Sequence, residues 1–184
     1  MKIISKNQSA FYPAPIILVT CVNSQGRNNI ITIALTTSIG IDVPSIGIVI
    51  NGEKYSSGLI RETKDFTVNI PKADSLKEVD ICGETHGDVE DKFKLTKFTP
   101  EDAVIVKSKL IKECPVNFEC KLKEVVSYES SNLFIGQVVK VHIDDTILDE
   151  NGTINYLKLN PILYAQKTYW SLKEKIGSRG FSHD

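Results

Sequence analysis

The sequence has neither an excess of charge of one sign nor a long apolar run. Its 184 residues carry 22 Lys and Arg against 23 Asp and Glu, a formal net charge of −1. Because no net positive field draws the chain toward phosphate backbones or anionic lipid, dedicated nucleic-acid binding is disfavoured. Polar residues, Pro or Gly interrupt every apolar stretch well before the roughly 20 residues that a membrane helix needs. We therefore expect no nucleic acid and no membrane as partners.

Cysteine is sparse, and none of the four cysteines forms a CxxC pair. Cys82 and His86 are four residues apart, but Gly83 and Gly87 favour a loop there, and a zinc site needs further ligands. We therefore expect no metal site. With no secretory leader pattern at the N-terminus, the cysteines are typical of a reduced protein, and a cytoplasmic location follows by elimination.

Common nucleotide-binding and hydrolase motifs are also absent. The chain contains no G-x-G-x-x-G, no G-x-x-x-x-G-K-[ST], no G-x-S-x-G and no H-E-x-x-H. Rossmann and P-loop binding therefore have no support in the sequence, because both need glycine-rich backbone beside a phosphate.

What the sequence does contain is a series of short β-branched runs bounded by turn residues. The candidate strands are 16–22, 29–36, 46–51, 66–70, 103–107, 116–123, 133–143 and 154–159, and helical signals are limited to 53–63 and the capping box 75–78. Strands and helices do not alternate as βαβ units. The pattern predicts one domain over residues 1–184, mainly β with short helices, built as a closed or partly closed antiparallel barrel.

The strictest alternation lies in the segment 116–123. Val116, Phe118 and Cys120 share one face, and Asn117 and Glu119 share the other. This period of two predicts an antiparallel strand with one solvated face. The run 154–159 is predicted to pair with the long strand 133–143 across a turn at 149–152.

Two polar segments are candidates for ligand contact. Side-chain oxygens at Asn29, Thr32 and 36–38 either grip the polar edge of a ring or form the solvated face of a hairpin. Lys54 and Ser56 stand where a helix begins, so they either help to seat an anion or serve as a plain helix start. His142, on the strand 133–143, is either a barrel-wall residue or a hydrogen-bond donor near a ligand.

In their order, these segments resemble the flavin reductase-like family of FMN-binding split-barrel proteins, which includes flavoredoxin-type electron carriers. The fragments that carry the resemblance are Tyr12-Pro13-Ala14-Pro15, Gly26 with 29–34, 43–48, Tyr55-Ser56 with Ile60, 66–71, 80–83, 91–93, 134–139 and 160–164. The resemblance implies an antiparallel split β-barrel that binds FMN. Leu35 departs from the family pattern where relatives often carry an aromatic residue, and His86-Gly87 stands where Ser-Gly is common.

The resemblance also implies which residues meet the cofactor. Those implied to line the isoalloxazine and ribityl part of FMN, largely through their backbone, are Asn29, Thr32, Ala34, Thr36, Thr37 and Ser38. Those implied to lie on the phosphate side are Asn51, Lys54, Tyr55 and Ser56, with Lys92 as a second cation. Lysine suits this role because it supplies a point charge where geometry is undemanding.

By the same resemblance, the protein is an NAD(P)H-dependent flavin reductase-like oxidoreductase and a homodimer. NADH or NADPH passes a hydride to the flavin, and electrons leave to a free flavin, a metal complex or a protein acceptor. No side-chain acid or base is required, because the cofactor carries the chemistry. His142, Tyr169 and Trp170 are candidates for the nicotinamide site, with core or dimer packing as the other interpretation. The alternatives are a non-catalytic flavin-binding electron carrier or sensor, and a split barrel that holds another ligand such as haem.

Overall fold

The computed structural model describes residues 2, 4 and 13–183, so Tyr12 of the family fragment lies outside the described residues. The strands are β1 (Ala14–Pro15), β2 (Ile17–Val22), β3 (Asn28–Ile33), β4 (Thr36–Ile39), β5 (Ser45–Asn51), β6 (Asp65–Ile70), β7 (Pro100–Glu101), β8 (Leu110–Ile111), β9 (Val116–Tyr128), β10 (Ser131–Ile143), β11 (Ile162–Ala165) and β12 (Thr168–Ser171). The helices are α1 (Tyr55–Thr63), α2 (Leu76–Glu84), α3 (Lys92–Leu95) and α4 (Tyr156–Leu159), with short 3₁₀ turns at Ala73–Ser75, Asp145–Ile147 and Phe181–His183.

Seven strands form one antiparallel sheet in the order β3-β2-β6-β9-β10-β5-β4. The two edge strands, β3 and β4, are joined by Ala34 and Leu35 alone. Three residue steps span at most about 11 Å, whereas six strand spacings in a flat sheet span about 29 Å. The sheet must therefore curl until its edges meet. The Val49 N–H of β5 donates to the Leu35 carbonyl at 2.9 Å, which extends the β4–β5 pairing into this connection. The predicted antiparallel split barrel is confirmed.

The core occupies both sides of the barrel wall at β2. Inside the barrel, the fully buried rings of Phe66 and Phe134 pack with aliphatic side chains from β2, β3 and β5. Outside it, Leu18 packs with Val79 of α2 and with Ile162 of β11. Because β2 is covered on both faces, its sequence is apolar at every position except Thr20 and does not alternate.

The predicted strand 103–107 is wrong. Residues 102–109, called the strap below, cross the outside of β6 and β9 without strand pairing. Their backbone N–H groups instead donate to two carboxylates, residues 104–106 to Glu119 and residues 107–108 to Asp65. The β-branched side chains suggested a strand, but buried carboxylates satisfy the backbone that a partner strand would otherwise bind.

The predicted solvated face of 116–123 is therefore also wrong in part. The alternation is present in β9, but Asn117 is only 6% exposed and Glu119 is 0% exposed, because the chain from the strap to β8 covers them. The Asn117 side-chain amide donates to the Ile111 carbonyl at 3.1 Å and to Asn69 Oδ1 at 2.8 Å. Polar side chains on this face therefore form hydrogen bonds with the backbone of the segment that covers them.

Several predicted boundaries also change. The expected strand 154–159 is a short helix, α4, because the Asn155 side chain accepts the N–H groups of Leu157 and Lys158. The run 29–36 divides into β3 and β4, and the helix predicted at 53–63 begins at Tyr55. Ser75 precedes α2, but its side chain makes no capping hydrogen bond.

The expected loop at Cys82 to Glu84 is the last turn of α2. In the part of the chain that the structure describes, no group of His, Cys, Asp and Glu has the arrangement of a metal site. Among the same residues, no helix is long and apolar enough to cross a membrane.

Candidate cofactor site

A cavity of about 770 Å³ lies beside the start of α1. It is lined by residues 51–56, residues 82–88, Asn29, Ile31 and Lys92. One wall is therefore the β5–α1 connection, and the other is the end of α2 with the chain that follows it. Its volume is within the range of about 300–1,000 Å³ that is typical of small-molecule and cofactor sites.

Six of the predicted cofactor residues meet at this cavity. They are Asn29, Asn51, Lys54, Tyr55, Ser56 and Lys92. Lys54 is the residue before α1, and no side chain caps that end of the helix. The first N–H groups of a helix have no partner within the helix, and its dipole favours negative charge there. This end of the cavity is suited to an anion.

Lys92 is a buried cation in the cavity wall. It is 3% exposed, and its ammonium donates to the Cys82 carbonyl at 2.7 Å. Among the described residues, it forms no ion pair with a carboxylate. Burial lowers the pKa of Lys92, and the charge of nearby Lys54 lowers it as well. The carboxylate of Asp88, which also lines the cavity, raises this pKa, but among the described residues neither lysine forms an ion pair with a carboxylate.

Asn29 holds the two walls of the cavity in close contact. Its side-chain amide donates to Ser56 Oγ at 2.8 Å. On the other side, a Cβ atom at Gly87 would lie 2.0 Å from Asn29 Oδ1, so any larger residue there must displace the Asn29 amide or the segment itself. The contact joins β3, α1 and the segment 82–88 at one point.

The cavity contains a thiol that is not activated. Cys82 lines it, and Cys21 lies within hydrogen-bonding range of Ser56. Burial raises the pKa of each of these two thiols to about 12. Both therefore stay protonated at neutral pH, whereas a nucleophilic or metal-binding cysteine needs the thiolate. All four cysteines are free.

The other predicted cofactor residues do not line the cavity. The Thr32 hydroxyl donates to the Val79 carbonyl at 2.7 Å, which fixes β3 against α2, and Ala34 packs on the core cluster outside the barrel. The Thr36 hydroxyl donates to the Gly47 carbonyl at 3.0 Å. Thr37 and Ser38 are exposed on the edge strand β4. Contact with the ring of a flavin stays a prediction for these residues.

The three residues predicted for the nicotinamide lie at two other places. His142 Nε2 donates to Glu119 Oε1 at 2.7 Å, beneath the strap. Tyr169 and Trp170 line a smaller cavity of about 180 Å³ together with Ala73, Leu76, Ile162 and Ser171. The Tyr169 hydroxyl donates to Asp80 Oδ1 at 2.9 Å, and burial with this carboxylate raises the pKa of Tyr169 to about 12.

Sequence reasoning missed most of one wall. Gly83, Glu84, Thr85 and Asp88 line the cavity, yet none was predicted to do so. The sequence signals in this segment were the family fragment 80–83, the spacing of Cys82 and His86, and the departure at His86-Gly87 from the Ser-Gly that is common in the family; none of them was assigned to the cofactor. That wall forms because α2 and α3 fold over β3, which no local pattern reveals.

Comparisons with known proteins agree with this architecture. The family model described as flavin reductase like domain matches residues 9–173. An uncharacterized protein of Aquifex aeolicus is 30% identical over 174 residues, which are 89% of each chain. The reductase component of an FADH(2)-dependent resorcinol hydroxylase from Rhizobium sp. is 24% identical over 147 residues, which are 77% of this chain and 79% of that protein.

A solved structure agrees along the whole chain. Flavoredoxin of Desulfovibrio vulgaris (Miyazaki F) matches with a TM-score of 0.94 at 26% identity, and the match covers 100% of both chains. The resemblance drawn from the sequence is thereby confirmed. With a family model that matches most of its length, this chain belongs to the flavin reductase-like family.

Proposed function

We propose that the protein binds FMN in the cavity beside α1, with the phosphate between Lys54 and Lys92. The observation that carries this proposal is the burial of Lys92 without a carboxylate partner. An unpaired buried ion is unfavourable by several kcal/mol even after the protein relaxes. A phosphate of nearly two negative charges relieves both this cost and the repulsion between the two lysines.

The remaining contacts follow from the walls. Asn51, Tyr55 and Ser56 meet the phosphate side of the cofactor, where the N–H groups at the start of α1 are available. Asn29, Thr32, Ala34 and 36–38 are assigned to the ring and ribityl chain, mainly through their backbone. The Thr32 hydroxyl is engaged with Val79, so its part is to hold β3 in place.

The proposed activity is an oxidoreduction that moves electrons from NADH or NADPH to a flavin, a metal complex or a protein acceptor. Bound FMN supplies the hydride and electron transfer. The chain supplies the phosphate seat and orients the ring, and its buried thiols stay protonated. The likeness to the reductase component of the resorcinol hydroxylase supports a free flavin as the acceptor.

Trp170 is assigned to nicotinamide contact because it is 58% exposed beside the smaller cavity, with Tyr169 next to it. His142 is less suited, since its ring is engaged with Glu119. A homodimer in the cytoplasm completes the proposal. The match to flavoredoxin favours a second candidate, an electron carrier that holds FMN but accepts electrons from a protein donor.

Absorption spectroscopy tests the proposal. The purified protein is saturated with FMN, freed of excess cofactor and mixed with NADH or NADPH in the absence of oxygen. We expect protein-bound flavin bands that bleach on mixing. Bands that persist with both nucleotides and bleach with dithionite would favour the carrier. Protein that retains no flavin after FMN addition would refute both.

A further inference from the structure

Arg27 contacts both walls of the cavity from outside. One nitrogen of its guanidinium donates to the carbonyls of Gly87 and Asp88, at 2.9 Å each. Its central carbon lies 5.4 Å from the centroid of the Tyr55 ring. Gly87 and Asp88 belong to one wall and Tyr55 to the other. One side chain therefore spans the rim of the cavity.

The backbone that carries Arg27 is itself held in place. In the β2–β3 turn, the Arg27 N–H donates to Asn23 Oδ1 at 2.8 Å, and the Asn23 N–H donates to the Arg27 carbonyl at 3.1 Å. The Ser24 N–H donates to Glu62 of α1 at 2.9 Å. The turn is thus fastened to α1, and Arg27 extends from it to the opposite wall.

Beyond Thr85, whose N–H and hydroxyl donate to the Ile81 carbonyl of α2, the opposite wall has few hydrogen bonds of its own. His86 and Asp88 are exposed, and the segment is closed by the N–H groups of Val89 and Glu90, which donate to the His86 carbonyl at 3.2 and 2.9 Å. A segment with exposed backbone hydrogen bonds and few apolar contacts opens easily. The two bonds from Arg27 fasten it where it meets the cavity.

We propose that Arg27 is a positioning residue of the cofactor site, which ties the segment 82–88 to the start of α1 and holds the phosphate end of the cavity open at the width that FMN needs. Arginine suits this task because one guanidinium nitrogen carries two N–H groups, one for each carbonyl, while the planar cation lies over an aromatic ring. Lysine has the same charge, but its ammonium ends one bond nearer the backbone and has no planar face. Only the effect on affinity rests on the proposed function; the tie between the walls stands without it.

The test compares Arg27→Lys and Arg27→Gln with the wild type. Without flavin, we expect the Val89 and Glu90 amides to exchange with deuterium about tenfold faster in both variants, because the segment loses two hydrogen bonds to a charged donor. FMN affinity is expected to fall about tenfold in both, equivalent to the loss of one such bond. Riboflavin, which lacks the phosphate, should bind as it does to the wild type.

Arg61→Lys is the matched control. Arg61 also lies over an aromatic ring, 5.1 Å from the centroid of Phe134, and donates to Asn132 Oδ1 at 3.0 Å, but it does not line the cavity. We expect this variant to leave the exchange of Val89 and Glu90 and the affinity for FMN unchanged.

Three results would overturn the proposal. If Arg27→Lys keeps wild-type FMN affinity, charge alone matters, and the reach and planar shape of the guanidinium do not. If riboflavin and FMN weaken equally, Arg27 supports the fold and not the phosphate end. If amide exchange is unchanged, the walls are not tied by Arg27. A wild-type protein that binds no FMN would refute the proposed function, and the exchange data would still decide whether Arg27 ties the walls.

Discussion

Lys92 is the residue on which the proposed site depends most, since its ammonium is buried beside Lys54 with a carbonyl as its acceptor. In Lys92→Met, the chain length is kept and the charge is removed. We expect FMN affinity to fall about 10- to 100-fold, which corresponds to the loss of one charge-assisted hydrogen bond. Riboflavin affinity should stay unchanged. Fluorescence titration of both flavins measures this, and equal losses for the two would contradict the phosphate assignment.

The lowered pKa of Lys92 also predicts a dependence on pH. Between this lowered value and the ordinary lysine pKa, the unfolded chain binds the proton that the folded chain has released, so stability without ligand rises with pH. An anion prefers the protonated ammonium, so FMN affinity falls as pH rises through the same interval. Fluorescence titrations with FMN from neutral to alkaline pH measure the direction of this change in affinity. Riboflavin is titrated in parallel, and Lys92→Met is the control that should lack the dependence on pH.

Gly87 is constrained by space. In Gly87→Ala, the added Cβ would meet Asn29 Oδ1 at 2.0 Å, so either the Asn29 amide leaves Ser56 or the segment 82–88 moves away from β3. We expect weaker FMN binding, by about tenfold, and a loss of stability of about 1–3 kcal/mol from overpacking. Gly58→Ala in α1 is the control: nothing lies within 4 Å of its added Cβ, and alanine stabilises an exposed helix position by up to about 1 kcal/mol. Urea unfolding and FMN titration distinguish the two variants.

At the scale of elements, the strap shows how backbone without a strand partner is satisfied in this fold. Glu119 accepts three consecutive N–H groups of the strap and a hydrogen bond from His142, and Asp65 accepts two more N–H groups and the Ser108 hydroxyl. The Lys109 carbonyl accepts from Thr20 and Thr67 on the strands below. Side chains of β2, β6 and β9 thus replace a neighbouring strand.

Glu119→Gln tests the strap. Burial opposes ionisation of Glu119, but the bonds from His142 and from the strap outweigh it and lower its pKa. An amide keeps only one accepting oxygen, so we expect a loss of about 2–4 kcal/mol of unfolding free energy. Glu124→Gln, at an exposed position of the same strand, is the control and should change stability little.

The sign of the pH effect follows from the lowered pKa. The stabilisation by Glu119 is present above its pKa in the unfolded chain, about 4.3, and is lost as pH falls from there toward the folded value. The free energy of unfolding should therefore fall less between neutral and acid pH in Glu119→Gln than in the wild type. An equal fall in the two proteins would show that Glu119 does not hold the strap as an ionised group.

At the scale of the whole molecule, a ligand that binds only the folded chain must stabilise all of it. At 100 times its dissociation constant, FMN should add about 2.7 kcal/mol to the free energy of unfolding. For a chain of this length, that corresponds to a rise in Tm of roughly 5–10 °C. Scanning calorimetry at several FMN concentrations measures the rise, and no rise in the wild type would contradict binding. In Lys92→Met, the same rise in Tm should require a higher FMN concentration.

The sequence was sufficient to locate most strands of the seven-stranded sheet and one wall of the candidate site. Short β-branched runs predicted β2, β5, β6, β9 and β10 within one or two residues at most ends, since the period of two and the turn residues are local properties. The proposed phosphate side was predicted in two ways: residues 51–56 from the charge at the start of a helix and from the family pattern, and Lys92 from the family pattern alone. Both signals are contained in a few consecutive residues.

Other elements were ambiguous locally. The run 154–159 is apolar enough for a strand, and only the Asn155 side chain, by accepting two N–H groups, selects a helix. Val104 and Ile105 have strand propensity, but two carboxylates from other elements hold their segment outside the sheet. Propensity is a weak guide where distant side chains satisfy the backbone.

The amino-acid sequence by itself determined where the chain alternates, where it turns and which charges stand at the start of α1. Tertiary structure alone decided what covers each strand face, that the edge strands β3 and β4 meet, and that Lys92, Asn29 and Gly87 lie around one cavity. Alternation along a strand shows that its two faces differ in polarity. Whether water or another segment covers the polar face depends on contacts between residues far apart in the chain.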